Sequence, residues 1–333
     1  MNEALRLRPD LPEAHLAMAA HLYYSYRDFE RARVQTAIAA QSLPKNSDLL
    51  ELTALIDQVQ GRWEKSTAGL ERAATLDPRN PHVLYDLANN YVCLRRYRDQ
   101  RQILDRMTEL ELDQTLNPVY KAMSFFSEKA DVKGIRAACE ALPTSVKDDP
   151  HWINNRAFFA ICARDFAAAE EIVSESPNEE NYFFGFLVPR QINALWVEFL
   201  RGNHPTMEQF GAAREQLYRK VEADPTNPFL VSALSWADMA LGAKEKSIKE
   251  GQRATEMRPI SGDAFDGPTL ALHLATLYGL ADQPDAAFQQ LNVLIKMPGW
   301  ALNYGDLKTN PAWDPLRKDS RFDKLLAELA PHD

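Results

Sequence analysis

Apolar residues recur along this chain at a constant step of 34 residues. One column holds leucines, a second holds alanines and a third holds aromatic residues: Leu16, Leu50 and Leu84; Ala20, Ala54 and Ala88; Phe29, Trp63 and Tyr97. Pro44 and Pro78 are separated by the same step. A shared period in four columns is the pattern of a repeat protein in which each repeat packs on the next.

The spacing within one period predicts two helices joined by a short turn. A leucine and the alanine four residues later lie on one face of a first helix, and the small alanine allows a second helix to pack closely. The aromatic residue follows nine residues after the alanine and opens the second helix. The proline ends that helix, because the residue before a proline avoids the helical conformation.

The same pattern continues with interruptions toward the C-terminus. Further columns are carried by Val119, Met123 and Val132, by Ile153, Ala157 and Phe166, and by Leu274, Ala275, Tyr278 and Ala287. Around residues 180–210 the register slips, and Pro225 and Pro259 restore the 34-residue step. We expect an all-α chain of about eight helix pairs, with a longer helix in the slipped region and no strand.

These columns resemble the tetratricopeptide repeat, whose pattern is W-x2-L-G-x2-Y, then A-x3-F, then P. The segment LYDLANNYVCLRRY matches at Leu84, Leu87, Ala88, Tyr91 and Tyr97, and EKSTAGLERAATLDP matches at Leu70, Ala73 and Pro78. Leucine replaces the large tryptophan, and alanine replaces the glycine. The resemblance implies a right-handed superhelical solenoid in which the first helices line a concave groove that binds protein or peptide partners.

Both ends depart from the period. Residues 1–10 read as the closing half of a preceding repeat helix, so we expect the chain to be cut from a longer polypeptide, with a lone capping helix as the alternative. Residues 11–297 form the predicted solenoid. Residues 298–333 predict an irregular loop, a short helix from about Asp314 and a final helix from about Ser320, which together cap the last repeat. An aromatic ligand pocket is the alternative for this segment.

The segment YGDLKTNPAWDPLRKDSRFDKLL is similar to the end of tetratricopeptide arrays in large bacterial signalling proteins. Those proteins carry a kinase, nucleotide cyclase or winged-helix domain before the array. The resemblance implies that this chain is the repeat region of such a protein and that any effector domain lies upstream.

Composition narrows the classes of partner. The net charge of −9 argues against sequence-independent binding to nucleic acid and against attachment to an anionic membrane. Cys93, Cys139 and Cys162 have no metal-binding spacing, and we expect buried, reduced thiols of a cytoplasmic protein. No apolar run approaches the length of a membrane span.

The chain has none of the short motifs of metallopeptidases, serine hydrolases or nucleotide-binding enzymes. No two histidines are four residues apart, so no local helical metal site is expected. We therefore expect neither an enzyme nor a cofactor. The leading hypothesis is an interaction scaffold; a domain that senses a small ligand is second, and an enzyme with an unrecognised site is third.

Candidate binding residues are those that helical spacing turns toward the groove. Asparagine can donate to and accept from a peptide backbone, and aromatic rings give flat apolar contact area with a polar edge. The predicted contacts are His21, Tyr24, Tyr85, Asn89, Tyr120, Asn154, Asn155, Phe158 and Trp196. The pairs Tyr85–Asn89 and Asn154–Phe158 are the preferred candidates, and Glu51 is another inward position.

Chaperone-binding members of the resembled family hold a terminal carboxylate with a clamp of lysine, arginine and asparagine. The corresponding positions here carry Ala17, His21, Leu52, His82 and Asp86. Because no lysine or arginine stands there to pair with a carboxylate, we expect no tight binding of acidic chaperone tails.

Overall fold

The computed structural model describes residues 6, 8, 10–183, 186–300 and 302–331. It divides into two compact units. The first comprises residues 1–117 with 261–265, and the second comprises residues 118–260 with 266–333. The predicted helical remnant at residues 1–10 lies mostly outside the described residues.

The first unit consists of three helix pairs. They are α1 (Pro12–His21) with α2 (Phe29–Ala40), α3 (Ser47–Val59) with α4 (Trp63–Leu76), and α5 (Pro81–Cys93) with α6 (Tyr97–Glu109). A π-helical turn, Leu22–Tyr26, extends α1. Residues 261–265 belong to this unit: Ala264 donates its N–H to the carbonyl of Val59 (2.8 Å), and Arg27 pairs with Asp263.

The second unit consists of five further pairs and a C-terminal segment. The pairs are α7 (Asn117–Lys129, whose first residue belongs to the first unit) with α8 (Val132–Glu140), α10 (Pro150–Cys162) with α11 (Phe166–Ser174), α12 (Arg190–Arg201) with α13 (Met207–Ala223), α14 (Pro228–Ala240) with α15 (Lys244–Met257), and α16 (Gly267–Leu280) with α17 (Pro284–Leu294). The single turn α9 (Thr144–Lys147) precedes α10. The prediction of an all-α repeat chain with about eight pairs is confirmed.

The aromatic column marks the start of each second helix as predicted. Phe29, Trp63, Tyr97 and Phe166 are the first residues of α2, α4, α6 and α11. The alanine column is buried where the repeats are most regular, since Ala54 and Ala88 are 1% and 2% exposed. An added Cβ on Gly69 of α4 would lie only 3.0 Å from the Ala54 side chain, which shows how closely paired helices approach.

Asparagine and aspartate side chains set the start of many first helices. Asn46, Asn80, Asp149 and Asn227 each accept a hydrogen bond from a backbone N–H in the first turn of α3, α5, α10 and α14. Such caps satisfy donors that have no partner within the helix. Together with the following prolines, which fit the first turn of a helix, they fix where three of these four helices begin.

The expectation that no strand would form was wrong around the register slip. Residues Glu180–Phe183 and Phe186–Pro189 form an antiparallel hairpin, and α12 begins only at Arg190. Aromatic and β-branched residues favour strands, and a short apolar run does not by itself separate strand from helix. The slip in register coincides with this inserted hairpin. The expectation of a longer helix was also wrong, since α12 has 12 residues against 13 in α10 and in α14.

The C-terminal segment is more helical than expected. Helix α18 (Tyr304–Thr309) replaces part of the predicted loop, and a 3₁₀ helix at Pro311–Leu316 begins before Asp314. The final helix, α19 (Ser320–Leu329), begins where predicted. No helix in the described ranges has the length and apolarity required to cross a bilayer.

Candidate functional site

The first helices of the first unit, α1, α3 and α5, carry the side chains predicted to face a partner; this surface is called the inner face below. The π-helical turn at the end of α1 adds a residue to one turn and changes the direction of the side chains that follow, a distortion often found at functional sites. Tyr24 in this turn is 67% exposed. His21 is half-buried, accepts from or donates to the Ser25 hydroxyl at 3.1 Å and meets the Tyr26 ring edge-on.

Two carboxyl groups meet on this inner face. Glu51 of α3 and Asp86 of α5 share a side-chain hydrogen bond, and both are half-buried. Burial and the neighbouring Asp86 raise the pKa of Glu51 to about 8, and burial also raises the pKa of Asp86. At neutral pH the pair therefore holds a shared proton and one negative charge.

The carboxyl pair lies next to Tyr24. Partial burial of the Tyr24 hydroxyl and the charges of Asp86 and Glu51 raise the pKa of this tyrosine. The phenol therefore stays protonated at neutral pH and offers a hydrogen-bond donor beside an exposed ring. Tyr24, Glu51 and Asp86 come from three successive first helices and form one patch.

Of the preferred pair on α5, the Tyr85 side chain is held by hydrogen bonds and the Asn89 side chain is exposed. The Tyr85 hydroxyl donates to Asp113 Oδ2 at 2.5 Å, with Asn117 Oδ1 as a second acceptor at 3.1 Å. This contact ties the ring to the segment that follows α6. Asn89, one turn later, is exposed.

Four predicted contacts of the second unit are half-buried and have partners within it. The Tyr120 ring lies 6.2 Å from that of Trp152, and the Phe158 ring meets Phe126 edge-on at 6.3 Å. Asn154 accepts from Asn193 Nδ2 at 3.2 Å, and Asn155 donates to the carbonyl of His151 at 3.0 Å.

Trp196, also predicted as a groove contact, packs within the second unit. It is 8% exposed and meets the Trp236 ring edge-on at a centroid distance of 4.3 Å. The Phe199 ring stacks on it at a centroid distance of 5.3 Å. Little of this side chain is therefore accessible to a partner.

In the second unit the C-terminal segment lies over α7 and α10. An added Cβ on Gly305 would lie 2.1 Å from the carbonyl oxygen of Phe126, so the backbone of α18 rests directly on α7. Thr309 forms a side-chain hydrogen bond with Cys162 at the end of α10. Arg164 binds both carboxylate oxygens of Asp314 at 2.5 and 2.7 Å.

This covering segment is held by a buried carboxylate. Trp313 Nε1 donates to Asp306 Oδ2 at 2.8 Å, and Asn310 Nδ2 donates to Oδ1 at 2.9 Å. Burial raises the pKa of Asp306, and these two donors oppose that shift. Trp313 itself is 1% exposed, so the segment is part of the core of the second unit.

Sequence reasoning missed the carboxyl pair and the contacts of the C-terminal segment with α7 and α10, although it expected that segment to cap the last repeat. The pair had a signal, because Glu51 and Asp86 are 35 residues apart, close to one repeat step, and therefore lie on neighbouring first helices. For the contacts of the covering segment with α7 and α10, the sequence carried no signal other than the departure of that segment from the 34-residue period. The described residues contain no group of three or more histidine, cysteine, aspartate or glutamate side chains arranged to hold a metal ion.

The fold is shared with solved structures of repeat proteins. The yeast Tom70 structure matches with a TM-score of 0.56 and 16% identity, over 87% of this chain and 57% of that one. The Cut9–Hcn1 hetero-tetramer of APC/C matches with a TM-score of 0.50 and 14% identity, over 92% of this chain and 60% of that one. This chain thus spans less than two thirds of either matched chain.

No family model and no curated protein matches the sequence. At these identities the structural likeness concerns the fold alone. The helix pairs, their 34-residue step and the matched structures agree. The chain has the tetratricopeptide repeat fold.

Proposed function

We propose that this chain is a protein-interaction scaffold and that a partner segment binds to the inner face of the first unit. The observation that carries the proposal is the patch of Tyr24, Glu51 and Asp86, with Asn89 exposed on α5. An exposed aromatic ring beside hydrogen-bonding groups is typical of the residues that contribute most to protein interfaces.

The chemistry of the patch favours a peptide that carries lysine or arginine. A cation over the Tyr24 ring would gain a cation–π contact and would also lie beside the shared negative charge of Glu51 and Asp86. The same charge would repel the acidic tails that clamp-type repeat proteins bind. The partner is accordingly a basic peptide segment of a protein, rather than a nucleic acid or a membrane surface.

The wider setting follows from the resemblance of the C-terminal segment. We infer that the chain is the docking or sensing region of a larger bacterial signalling protein that acts in the cytoplasm. A scaffold without catalytic activity and without a cofactor fits this role. Recognition of a small ligand is a second function, and a specific cavity favours it, as described in the next subsection.

A peptide-display selection with the purified chain, followed by fluorescence polarisation of the enriched peptides, tests the proposal. We expect enriched peptides to carry Lys or Arg and to bind less tightly as salt is added. Tyr24→Ala should weaken binding by roughly tenfold or more, as for residues that dominate an interface, and Asn89→Ala should weaken it less.

Tyr218→Ala is the control, because Tyr218 is another solvent-accessible tyrosine, 36% exposed, on α13 of the second unit. It should leave the affinity unchanged. Equal losses in the Tyr24 and Tyr218 variants would move the site away from the inner face. Failure to enrich any peptide would count against the scaffold function itself.

A further inference from the structure

A cavity of about 410 Å³ lies within the second unit, on a different surface from the one that carries Phe158. It is lined by residues of α8, α9, α10 and α11 and opens to solvent, and its apolar lining includes Ile153, Phe159 and Ile172. On α10 the cavity is lined by Ile153 and Arg156, whereas Asn155 and Phe158 point elsewhere on the helix. The volume is sufficient for a small organic molecule.

Arg156 is the buried donor of this cavity. Its side chain is only 14% exposed, and its Nε atom is buried without a hydrogen-bond partner among the described residues. Nη1 reaches the carbonyl of Lys147 at 3.5 Å and Nη2 reaches Glu140 Oε1 at 3.4 Å, both longer than ordinary hydrogen bonds. A buried guanidinium with one unused N–H and two long contacts can form stronger hydrogen bonds with an acceptor that lies closer to it.

Glu140 occupies the position where that acceptor would bind. Its side chain is 60% exposed and lies 3.2 Å from Lys147 Nζ and 3.4 Å from Arg156 Nη2. Burial opposes its ionisation, but Lys147 and Arg156 hold the pKa of Glu140 below its ordinary value. It is therefore a carboxylate at neutral pH, held loosely enough to be replaced, since exposed ion pairs contribute little.

The other charges around the cavity are mostly acidic. Glu171, Glu175 and Asp148 line it and are exposed, while Arg136 is engaged with Asp165 at 2.8 Å. Three carboxylates near the cationic side chains of Arg156 and Lys147 disfavour a ligand that carries only negative charge. They favour a ligand with a carboxylate at one end and an ammonium group at the other.

We propose that this cavity binds a small amino acid with an apolar side chain. The ligand carboxylate replaces Glu140 and accepts hydrogen bonds from Arg156 and Lys147, its ammonium group faces Glu171 and Glu175, and its side chain packs on Ile153, Phe159 and Ile172. Binding is non-covalent: burial raises the pKa of the adjacent Cys139 thiol to about 12, so this group stays protonated and unreactive.

Isothermal titration with leucine and phenylalanine tests the ligand class. Two analogues of leucine separate its charges: 4-methylpentanoate lacks the ammonium group and isopentylamine lacks the carboxylate. We expect saturable binding of at least one amino acid and binding at least roughly tenfold weaker for both analogues, because each loses a charged contact. No saturable binding at millimolar concentration, or equal binding of 4-methylpentanoate, would overturn the proposal.

Two substitutions locate the site through effects of opposite sign. Arg156→Met should weaken binding on the order of 10- to 100-fold, because the carboxylate loses its charged donor. Glu140→Gln should tighten binding by up to about fivefold, because the competing carboxylate is removed. Arg98→Met, at an exposed arginine of α6, is the control and should change nothing.

Circular dichroism of each variant establishes that it is folded. Should Arg156→Met fail to fold, Glu140→Gln still decides the question, since the Glu140 side chain is 60% exposed and we expect its substitution to leave the fold intact. Weaker or unchanged binding in Glu140→Gln would contradict the replacement of Glu140 by the ligand and would refute the assignment.

Discussion

Both units are built from helix pairs of the same kind, but the surroundings of their first helices differ. In the first unit Tyr24 and Asn89 remain exposed. In the second unit α18 rests on Phe126, and Thr309 bonds to Cys162. Helix pairs of one architecture can therefore leave side chains exposed in one unit and lie beneath an added segment in the other.

Their polar groups differ in the same way. Asn154 and Asn155 of α10 have partners within the second unit, and Asp306 of the covering segment receives two hydrogen bonds. On the first unit the carboxyls of Glu51 and Asp86 bond mainly to each other. These polar groups of the second unit are thus bound to other residues of that unit, whereas the carboxyl pair on the inner face is bound chiefly within itself.

The substitution with the largest expected effect on this difference between the units is Trp313→Ala. Trp313 is fully buried and donates to Asp306, so its removal leaves a cavity and a buried carboxyl that has lost one of its two side-chain donors. We expect a loss of about 3 to 5 kcal/mol in the free energy of unfolding, measured by urea denaturation. Hydrogen exchange should increase in α7 and α10, which the segment covers.

Trp300→Ala is the control for that substitution. Trp300 lies in the same C-terminal region but is 47% exposed, and we expect a change within about 0.5 kcal/mol. If the Trp313 variant left exchange in α7 and α10 unaltered, the covering segment would be an addition rather than part of the core.

A smaller perturbation tests the direct backbone contact of α18. Gly305→Ala would place a methyl group 2.1 Å from the carbonyl oxygen of Phe126, so α18 must shift away from α7. Crowding of this kind costs about 1 to 3 kcal/mol, measurable as a lower urea midpoint. Gly299→Ala serves as the reference, because its methyl would lie at an ordinary 3.5 Å from Pro268.

The smallest expected effect is on the pH dependence of stability, and it tests the contrast in polar groups between the two units. Glu51 has a pKa of about 8 in the folded chain against an ordinary value of 4.5. Between these values the folded chain holds a proton that the unfolded chain has released, so stability decreases as pH rises through this window. Glu51→Gln should remain neutral throughout and should lose less stability toward the upper end.

Thermal unfolding at a series of pH values measures this slope. Glu250 in the second unit also has a pKa raised to about 8, by burial and by Asp238, and Glu250→Gln provides the matched variant there. Each substitution should remove part of the slope of the wild-type chain. A Glu51 variant with the full slope would show that this carboxyl does not hold the proton.

Much of the fold was predictable because the same local sequence pattern recurs in several repeats. The aromatic column located the first residues of α2, α4, α6 and α11, since each repeat places a large ring where the second helix meets the first. The period also gave the number of pairs. These features depend on contacts between neighbours in sequence, which spacing alone reveals.

The features that spacing did not reveal have two sources. The inserted hairpin is local, but nothing in the spacing distinguished its apolar run from a helix. The other features are contacts between residues far apart in sequence, such as Trp196 with Trp236 and Tyr85 with Asp113 beyond the next helix. The covering of α10 by α18 joins residues about 150 positions apart, as Cys162 and Thr309 show.

The burial of all three thiols makes the chain suited to site-specific fluorescent labelling. Cys93, Cys139 and Cys162 are each at most 5% exposed, and burial raises the pKa of every one of these thiols. Maleimide reagents attack exposed thiolates, so the native thiols will react slowly. A cysteine introduced by Tyr26→Cys, at a 65% exposed position two residues after Tyr24, would carry the dye alone and would report, in real time, the arrival of a partner at the inner face.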